Sequence, residues 1–187
     1  MILPHKPFYF IRHGETDLNK SNIIMGSIDS PLNEQGFQQA QDAAEILAAE
    51  KFDVVISSPR LRAQQTAEAI AHQAKQTIQL DHGLAERVWG EAEGKPVDPT
   101  KSIFDDNYTP QGAETFADFQ QRVITALSAI LKQEQLPLIV SHGGVLKALT
   151  KYLGSPDIAS SNCVPFIFKP PLEPMQPWVV CALSEED

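Results

Sequence analysis

An arginine, a histidine and a glycine directly follow a short apolar stretch near the start of the chain. Residues 8–11 are aromatic or β-branched, which predicts a buried strand. Arg12 can bind two oxygens of a phosphate with its planar guanidinium. His13 can act as a covalent nucleophile, because imidazole is one of the side chains that form covalent intermediates. Gly14 would let backbone N–H groups approach an anion closely.

Three more segments place chemically competent side chains just after a predicted strand. Strands are predicted at 53–57, 77–80 and 137–141. They are followed in turn by Arg62, Glu86 and His142. If the strands are parallel, all these segments reach the same edge of the sheet, where open α/β sheets bind their ligands. Residues that are far apart in sequence are therefore expected to form one site.

Helices alternate with these strands and must position the site. N-caps are predicted at Asn33, Ser58 and Thr115, the second with Pro59 as first helical residue and the third with Asp118 in a capping box. The first helix should bury a face made of residues 37, 40, 44 and 47, and the last should run from His142 to near residue 154. Residues 19–30 and 91–112 are predicted to be loops.

This alternation predicts an α/β fold, a three-layer α/β/α sandwich around a mostly parallel central sheet. We expect a single domain over residues 1–187, a length that allows a substantial core. Two apolar runs in the tail, 164–168 and 178–182, are predicted to form a hairpin with a long loop. Their place in the sheet does not follow from the pattern.

Composition narrows the classes of partner. The formal net charge is −9 and the sequence pI is near 5.0, which disfavours nucleic acid and anionic membranes as partners. Two cysteines are too few for a disulfide framework and are expected to be free thiols. No signal peptide or membrane-spanning run is recognisable, so we expect a cytoplasmic protein. A homo-oligomer is one option for the quaternary state.

The motifs around these residues resemble the histidine phosphatase superfamily, whose members are similar to phosphoglycerate mutase. The resemblance covers the opening motif at residues 12–16 with Asn19, a second at 57–67, a third at 84–94 and a last at 141–144. It implies a phosphoglycerate mutase-like fold and a phosphatase acting on a small phosphorylated metabolite, with inorganic phosphate as product. It implies no metal and no cofactor.

The resemblance also assigns roles. Arg12 and Arg62 would clamp the phosphoryl group, and His13 would attack it, kept neutral by arginines that lower its pKa. Glu86 would be the general acid and base, while His142, if protonated, would stabilise the transition state. The substrate-binding residues implied are Arg12, Gly14, Asn19, Met25, Gly26, Arg62, Glu86 and Gly143.

The acceptor of the phosphoryl group decides between a phosphatase and a cofactor-dependent phosphoglycerate mutase. Gly144 stands where the mutase-like pattern has asparagine, and the paired arginines that mutases place between the third and last motifs are missing. Between Gly94 and Gly112 the only cations are Lys95 and Lys101. Arg87, directly after Glu86, favours a mutase. We favour the phosphatase, with the mutase as the alternative.

Two other classes of protein are weighed against a phosphohistidine enzyme. In a metal hydrolase, His13, Glu86 and His142 would be ligands, but two neighbouring arginines would repel a divalent cation. A non-catalytic binding module would be expected to have lost a catalytic residue, and each expected residue is present.

Overall fold

The computed structural model describes residues 3–98, 107–173 and 176–184. Its strands, in chain order, are β1 (Phe8–Arg12), β2 (Val54–Ser57), β3 (Ile78–Leu80), β4 (Pro137–Ser141), β5 (Pro165–Lys169) and β6 (Val179–Ala182). They form one sheet in the order β3-β2-β4-β1-β5-β6. The pairs among the first four strands are parallel, and β5 lies antiparallel to both β1 and β6. The mostly parallel sheet is confirmed, and the tail hairpin extends it beyond β1.

Helices cover both faces of this sheet. They are α1 (Asp17–Lys20), α2 (Glu34–Leu47), α3 (Leu61–Ala74), α4 (Phe116–Leu131) and α5 (Gly143–Leu153), with 3₁₀ turns at His82–Leu84 and Gly90–Ala92. Side chains alternate along β1, so that Phe8 and Phe10 pack with α4 and α5 while Tyr9 and Ile11 pack with α2 and α3. The predicted three-layer α/β/α fold is confirmed. The extent of a single domain over 1–187 stays a prediction.

Two helix starts follow their predicted caps. Asn33 Oδ1 accepts the N–H of Gly36 at 2.8 Å at the start of α2. Thr115 Oγ1 accepts the N–H of Asp118 at 3.1 Å at the start of α4. The Asp118 carboxylate accepts from the Thr115 hydroxyl at 2.7 Å, so the capping box lacks its reciprocal bond to the backbone. Phe37 was expected on the buried face of α2 but is 44% exposed.

Other helix predictions were wrong, for local reasons. α3 begins at Leu61, with Arg60 rather than Ser58 as N-cap and without a side-chain cap. The Ser58 hydroxyl lies in the turn before the helix, where it accepts the N–H of Arg60 at 3.3 Å and lies 2.7 Å from His142 Nε2. The stretch expected as a loop after residue 19 starts inside α1, which a reciprocal capping box of Thr16 and Asn19 stabilises. Among the described residues, no helix is both long and apolar enough to cross a bilayer.

Candidate active site

Adjacent strands bring the predicted site residues to one edge of the sheet. β2, β4 and β1 lie side by side, and their backbone pairing continues past the strand ends. The N–H of His13 donates to the carbonyl of Ser141 at 2.9 Å, and the N–H of Ser58 donates to the carbonyl of Val140 at 2.9 Å. The residues that follow the three strands are thus held in register with one another, as the parallel arrangement predicts.

A cavity of about 400 Å³ opens at this edge. Predicted site residues form much of its lining: Arg12, His13, Asn19, Met25, Gly26, Arg62, Glu86 and Gly143. Two predicted residues, Gly14 and His142, lie outside the lining. Apolar side chains extend the wall beyond the charged groups: Ile23, Ile24, Trp89 and Val97.

The tautomer of His13 follows from its contacts. Its Nδ1 lies 2.7 Å from the carbonyl oxygen of Gly14, which can only accept, so Nδ1 carries the proton. Nε2 therefore has the lone pair, toward which Arg62 Nε donates at 3.3 Å. His13 is 2% exposed, and burial, followed by the charges of Arg62 and Arg12, holds its pKa well below the ordinary histidine value. The ring is neutral at pH 7 with Nε2 as its nucleophilic atom.

Arg62 is fully buried and donates from each nitrogen of its guanidinium. Besides Nε on His13, one terminal nitrogen donates to the carbonyl of Ile28 at 2.8 Å and the other to the carbonyl of Gly26 at 3.1 Å. Burial lowers the pKa of Arg62 to about 10, which leaves it charged at neutral pH. The side chain thus fixes a positive charge beside the nucleophilic nitrogen.

Arg12 and His142 each contain a buried nitrogen without a hydrogen-bond partner in the described part of the chain. Arg12 donates through one terminal nitrogen to the carbonyl of Ser160, whereas its Nε has no partner. His142 contacts Ser58 through Nε2, whereas its Nδ1 has no partner. An unpaired buried polar atom costs about 1–3 kcal/mol. Arg12 lines the cavity and His142 lies beside His13, so these two atoms are candidate ligand contacts, whereas Arg60 Nε, which is also buried without a partner, belongs to a residue outside the lining.

His142 lies next to His13, with 5.2 Å between the ring centroids. It is fully buried, and burial, then the charge of Arg62, holds its pKa well below the ordinary value. Its imidazole is therefore neutral at pH 7, in contrast to the protonated form considered from sequence. A phosphate dianion beside the ring would oppose this shift, because a nearby negative charge favours the imidazolium.

Glu86 reaches the cavity from the segment after β3. Its Oε1 accepts the N–H of Arg87 at 2.9 Å, and its Oε2 accepts the N–H of Gly144 at 3.1 Å in the first turn of α5. A Cβ on residue 144 would collide with the Glu86 carboxylate. Gly144 therefore makes room for the carboxylate, a role that the sequence pattern did not reveal.

The loop after α1 forms the opposite wall. Asn19 lines the cavity, and its Oδ1 accepts from the N–H and hydroxyl of Thr16 at 3.3 and 3.2 Å. Gly26 has a φ of +51°, and a side chain there would also collide with the Glu93 carboxylate. Glu93 ties this loop to the next one, since it accepts the N–H groups of Ser27 and Trp89, both at 2.9 Å.

Gly14 has a different role from the anion contact expected. Its N–H donates to Thr66 Oγ1 at 3.0 Å. A Cβ at this position would collide with the backbone carbonyl of Gly36 at the start of α2. The glycine thus allows close packing of the loop after β1 against a helix rather than close approach to a ligand.

Sequence reasoning missed the contribution of the segment between α5 and β5. Ser160 and Asn162 line the cavity, and Asn162 Nδ2 donates to the carbonyl of His13 at 2.8 Å. Ser58, expected as a helix cap, also contacts His142, which sequence reasoning did not predict. No motif marks residues 155–163, because they act through an irregular backbone path that local pattern does not encode.

The side chains proposed as metal ligands make other contacts. His13 Nε2 faces the Arg62 guanidinium, and His142 Nε2 faces a hydroxyl. Across residues 3–98, 107–173 and 176–184, no group of three or more histidine, cysteine, aspartate or glutamate side chains is arranged to hold a metal ion.

Lowering the pH from about 7 to about 5 is expected to reduce the free energy of unfolding. Below about 6.5 the unfolded histidines bind protons while buried His13 and His142 stay neutral, so the unfolded state gains more protons. Each ring contributes at most about 1.4 kcal/mol per pH unit. Urea denaturation across this range checks the slope, which should decrease in His13→Gln and in His142→Gln. An unchanged slope in both variants would contradict the neutral pair.

Comparison with known proteins agrees with this geometry. The family model of the histidine phosphatase superfamily (branch 1) matches residues 8–165. The chain is 32% identical over 158 residues to the uncharacterized phosphatase PhoE of Bacillus subtilis (strain 168), covering 82% of this chain and 81% of PhoE. It is 39% identical over 123 residues to the fructose-2,6-bisphosphatase TIGAR of Bos taurus, covering 60% of this chain and 46% of TIGAR. The chain thus spans about half the length of that relative.

A solved structure shows the same fold. YhfR of Bacillus stearothermophilus superposes with a TM-score of 0.78 at 31% identity, covering 88% of this chain and 91% of YhfR. The family match spans the strands and loops that carry Arg12, His13, Arg62, Glu86 and His142. The resemblance found in the sequence motifs is confirmed. The chain therefore belongs to the histidine phosphatase superfamily, branch 1, and is a phosphatase enzyme.

Proposed function

We propose that the protein hydrolyses small phosphomonoesters through a phosphohistidine on His13. The observation that carries the proposal is the buried, neutral imidazole whose Nε2 lone pair lies at the cavity beside two arginines. Phosphoryl transfer depends mainly on positioning and on stabilising charge, and this arrangement provides both together with a nucleophile.

The first half-reaction transfers the phosphoryl group to the enzyme. Nε2 of His13 attacks phosphorus, and the bond from phosphorus to the ester oxygen breaks. Glu86, which lines the same cavity, delivers a proton to the leaving oxygen. In the second half-reaction a water molecule attacks phosphorus, Glu86 takes the proton of that water, and the P–N bond breaks to release inorganic phosphate.

The phosphoryl oxygens would be bound by groups that converge from three elements. Arg12 would contribute its unpaired Nε, and Arg62 would share its Nε–H between the ligand and His13. The backbone at Gly143 begins α5, whose N-terminal end favours an anion. His142 would gain a proton when the dianion binds and then donate to it from Nδ1.

The alternative, a phosphoglycerate mutase, loses its main support at Arg87. This side chain is buried outside the cavity lining. It donates to the carbonyls of Tyr108 and Glu114 at 2.8–3.0 Å and stacks on the ring of Trp89 at 4.3 Å. These contacts place its guanidinium against backbone carbonyls and an aromatic ring, outside the cavity lining. Lys101, one of the two lysines between Gly94 and Gly112, lies outside the described residues.

The identity of the monoester would be found with a panel of substrates. The relatives include a fructose-2,6-bisphosphatase and a putative phosphoserine phosphatase, so sugar phosphates and phosphoamino acids belong in the panel. Turnover that required bisphosphoglycerate and regenerated a phosphoester would favour the mutase. We also propose a cytoplasmic location, which the free thiols Cys163 and Cys181 support. The quaternary state, including a homo-oligomer, is a further point to test.

Arg62→Ala is expected to weaken binding of inorganic phosphate by about 10- to 100-fold, because a hydrogen bond to a charged group contributes about 1.5–3 kcal/mol. Arg60→Ala is the matched control, since Arg60 caps α3 but lies outside the cavity lining. It should change the dissociation constant by less than about threefold. Calorimetric titration with phosphate measures both. Arg62→Lys, which keeps the charge but not the planar fork, should fall between them.

Equal losses in Arg60→Ala and Arg62→Ala would contradict the proposed clamp. Circular dichroism would show whether each variant is folded. If Arg62→Ala does not fold, the comparison of Arg62→Lys with Arg60→Ala still decides the matter, because phosphate binding as tight as in the wild type in Arg62→Lys would leave the fork without a role.

A further inference from the structure

The segment that carries Glu86 is held by an arginine–glutamate pair that lies outside the cavity lining. Arg122, in the second turn of α4, donates to both carboxylate oxygens of Glu114 at 2.9 and 2.8 Å. This two-point contact is the geometry in which arginine binds a carboxylate most firmly. Their side chains are only 28% and 22% exposed, so the pair is partly shielded from water.

Arg122 also contacts the backbone just before the general acid. One terminal nitrogen donates to the carbonyls of Gly83 and Ala85, both at 3.0 Å. The other lies 3.5 Å from the carbonyl of Glu86 itself. A single guanidinium therefore connects α4, the Glu114 carboxylate and the chain on the N-terminal side of Glu86.

Glu114 holds the chain on the other side of Glu86. Its carboxylate accepts the N–H of Val88 at 3.1 Å, and its backbone pairs with Val88 and Arg87. Burial opposes ionisation of Glu114, but the bonds from Arg122 and Val88 outweigh it and lower the pKa of the carboxyl group. The pair is thus charged at neutral pH and fixes residues 83–88 on both flanks of Glu86.

We propose that Arg122 and Glu114 are positioning residues for the general acid, and the proposal rests on the function proposed above. Glu86 meets the N-terminus of α5 through a single bond of its carboxylate to Gly144, so its own contacts do not fix the path of the backbone. The Arg122–Glu114 pair supplies that constraint. A displacement of about 1 Å in a catalytic group can cost on the order of 10²-fold in rate.

Arg122→Gln and Glu114→Gln are therefore expected to reproduce the pattern of a damaged general acid. Turnover of an alkyl phosphate such as glycerol phosphate should fall by about 10- to 100-fold. The transfer step with p-nitrophenyl phosphate, whose leaving group needs little protonation, should slow by less than about threefold when it is measured as the burst of nitrophenol, while breakdown of the phosphoenzyme slows as in Glu86→Gln. The dissociation constant of inorganic phosphate should not change, since Arg12 and Arg62 are untouched. Arg122→Lys should recover only part of the loss, because it cannot fork.

Two controls separate positioning from a general loss of stability. Ile130→Val, in the core on the same helix, lowers stability while it leaves Arg122 and Glu114 in place, and it should slow neither substrate selectively. In a Glu86→Gln background, adding Arg122→Gln should cost little more, because the residue it positions is already disabled.

The outcomes distinguish the positioning role of Arg122 and Glu114 from the proposed function on which it rests. If Glu86→Gln discriminates between the two substrates but Arg122→Gln and Glu114→Gln do not, the positioning role is wrong and the proposed mechanism stands. If the effects of Arg122→Gln and Glu86→Gln multiply in the double variant, the arginine acts independently of the acid and the proposal is overturned. If Glu86→Gln itself shows no discrimination, the assignment of the general acid fails first.

Discussion

His13→Ala is expected to lower phosphatase turnover on the order of 10⁴- to 10⁶-fold, the range seen when a covalent nucleophile is removed from an enzyme. The expectation follows from the single atom that combines a lone pair, a fixed tautomer and a cationic neighbour, Nε2 of His13. Steady-state assays with p-nitrophenyl phosphate measure the loss. A loss on this scale would show that no other group in the cavity substitutes as nucleophile.

The loss of turnover in His13→Ala should come from the missing nucleophile and not from a damaged phosphate-binding site. Arg12 and Arg62 remain in the variant, so inorganic phosphate should still bind within about threefold of the wild-type affinity. His72→Ala, on the exposed side of α3, is the matched control and should keep full turnover. Undiminished turnover in His13→Ala would overturn the assignment of the nucleophile.

Glu86→Gln is expected to lower hydrolysis of alkyl phosphates by about 10²- to 10⁴-fold, the contribution typical of a general acid. The amide keeps an oxygen for the N–H of Gly144 or of Arg87, so the segment retains part of its contacts. Hydrolysis of p-nitrophenyl phosphate should suffer far less in the transfer step. Because the same carboxylate activates water, the phosphoenzyme should then accumulate, which a burst of nitrophenol in stopped-flow would report.

Gly144→Ala provides an independent route to the same defect. Its Cβ would push against the Glu86 carboxylate, so the acid would be displaced without any change in its chemistry. The variant should share the preference for the activated substrate. Equal losses on both substrates in the transfer step of Glu86→Gln would make Glu86 a binding or structural residue, and His142 would be the next candidate for the acid.

The sequence was most informative where local pattern and tertiary structure agree. Three of the parallel strands, β1, β2 and β4, are short apolar runs, and β4 spans residues 137–141 as expected, between Pro137 and His142, the N-cap of α5. The convergence of Arg12, Arg62 and Glu86 followed from strand ends alone. In a parallel sheet the register of the strands fixes where the residues that follow each strand lie, so their positions in space can be predicted from their positions in the sequence.

The predictions for individual residues were wrong where a group forms a hydrogen bond with a residue that is distant in sequence. Ser58 has the chemistry of an N-cap, but His142, which follows another strand, lies against its hydroxyl. Gly14 has the freedom to expose its N–H to an anion, but Thr66 accepts that N–H. Asn162 reaches His13 from an irregular segment. Such contacts depend on the assembled fold and leave no periodic signal in the chain.

The central claim is a covalent phosphoryl group on Nε2 of His13. Rapid quench of the wild-type protein with ³²P-labelled substrate should trap an acid-labile, base-stable adduct, and peptide mapping should place it on His13. Phosphorus NMR of the denatured adduct should show the Nε2 isomer, because Nδ1 is occupied by its proton and its bond to the Gly14 carbonyl. An adduct on another residue, an Nδ1 isomer, or full turnover with no adduct trapped at any quench time would contradict the account.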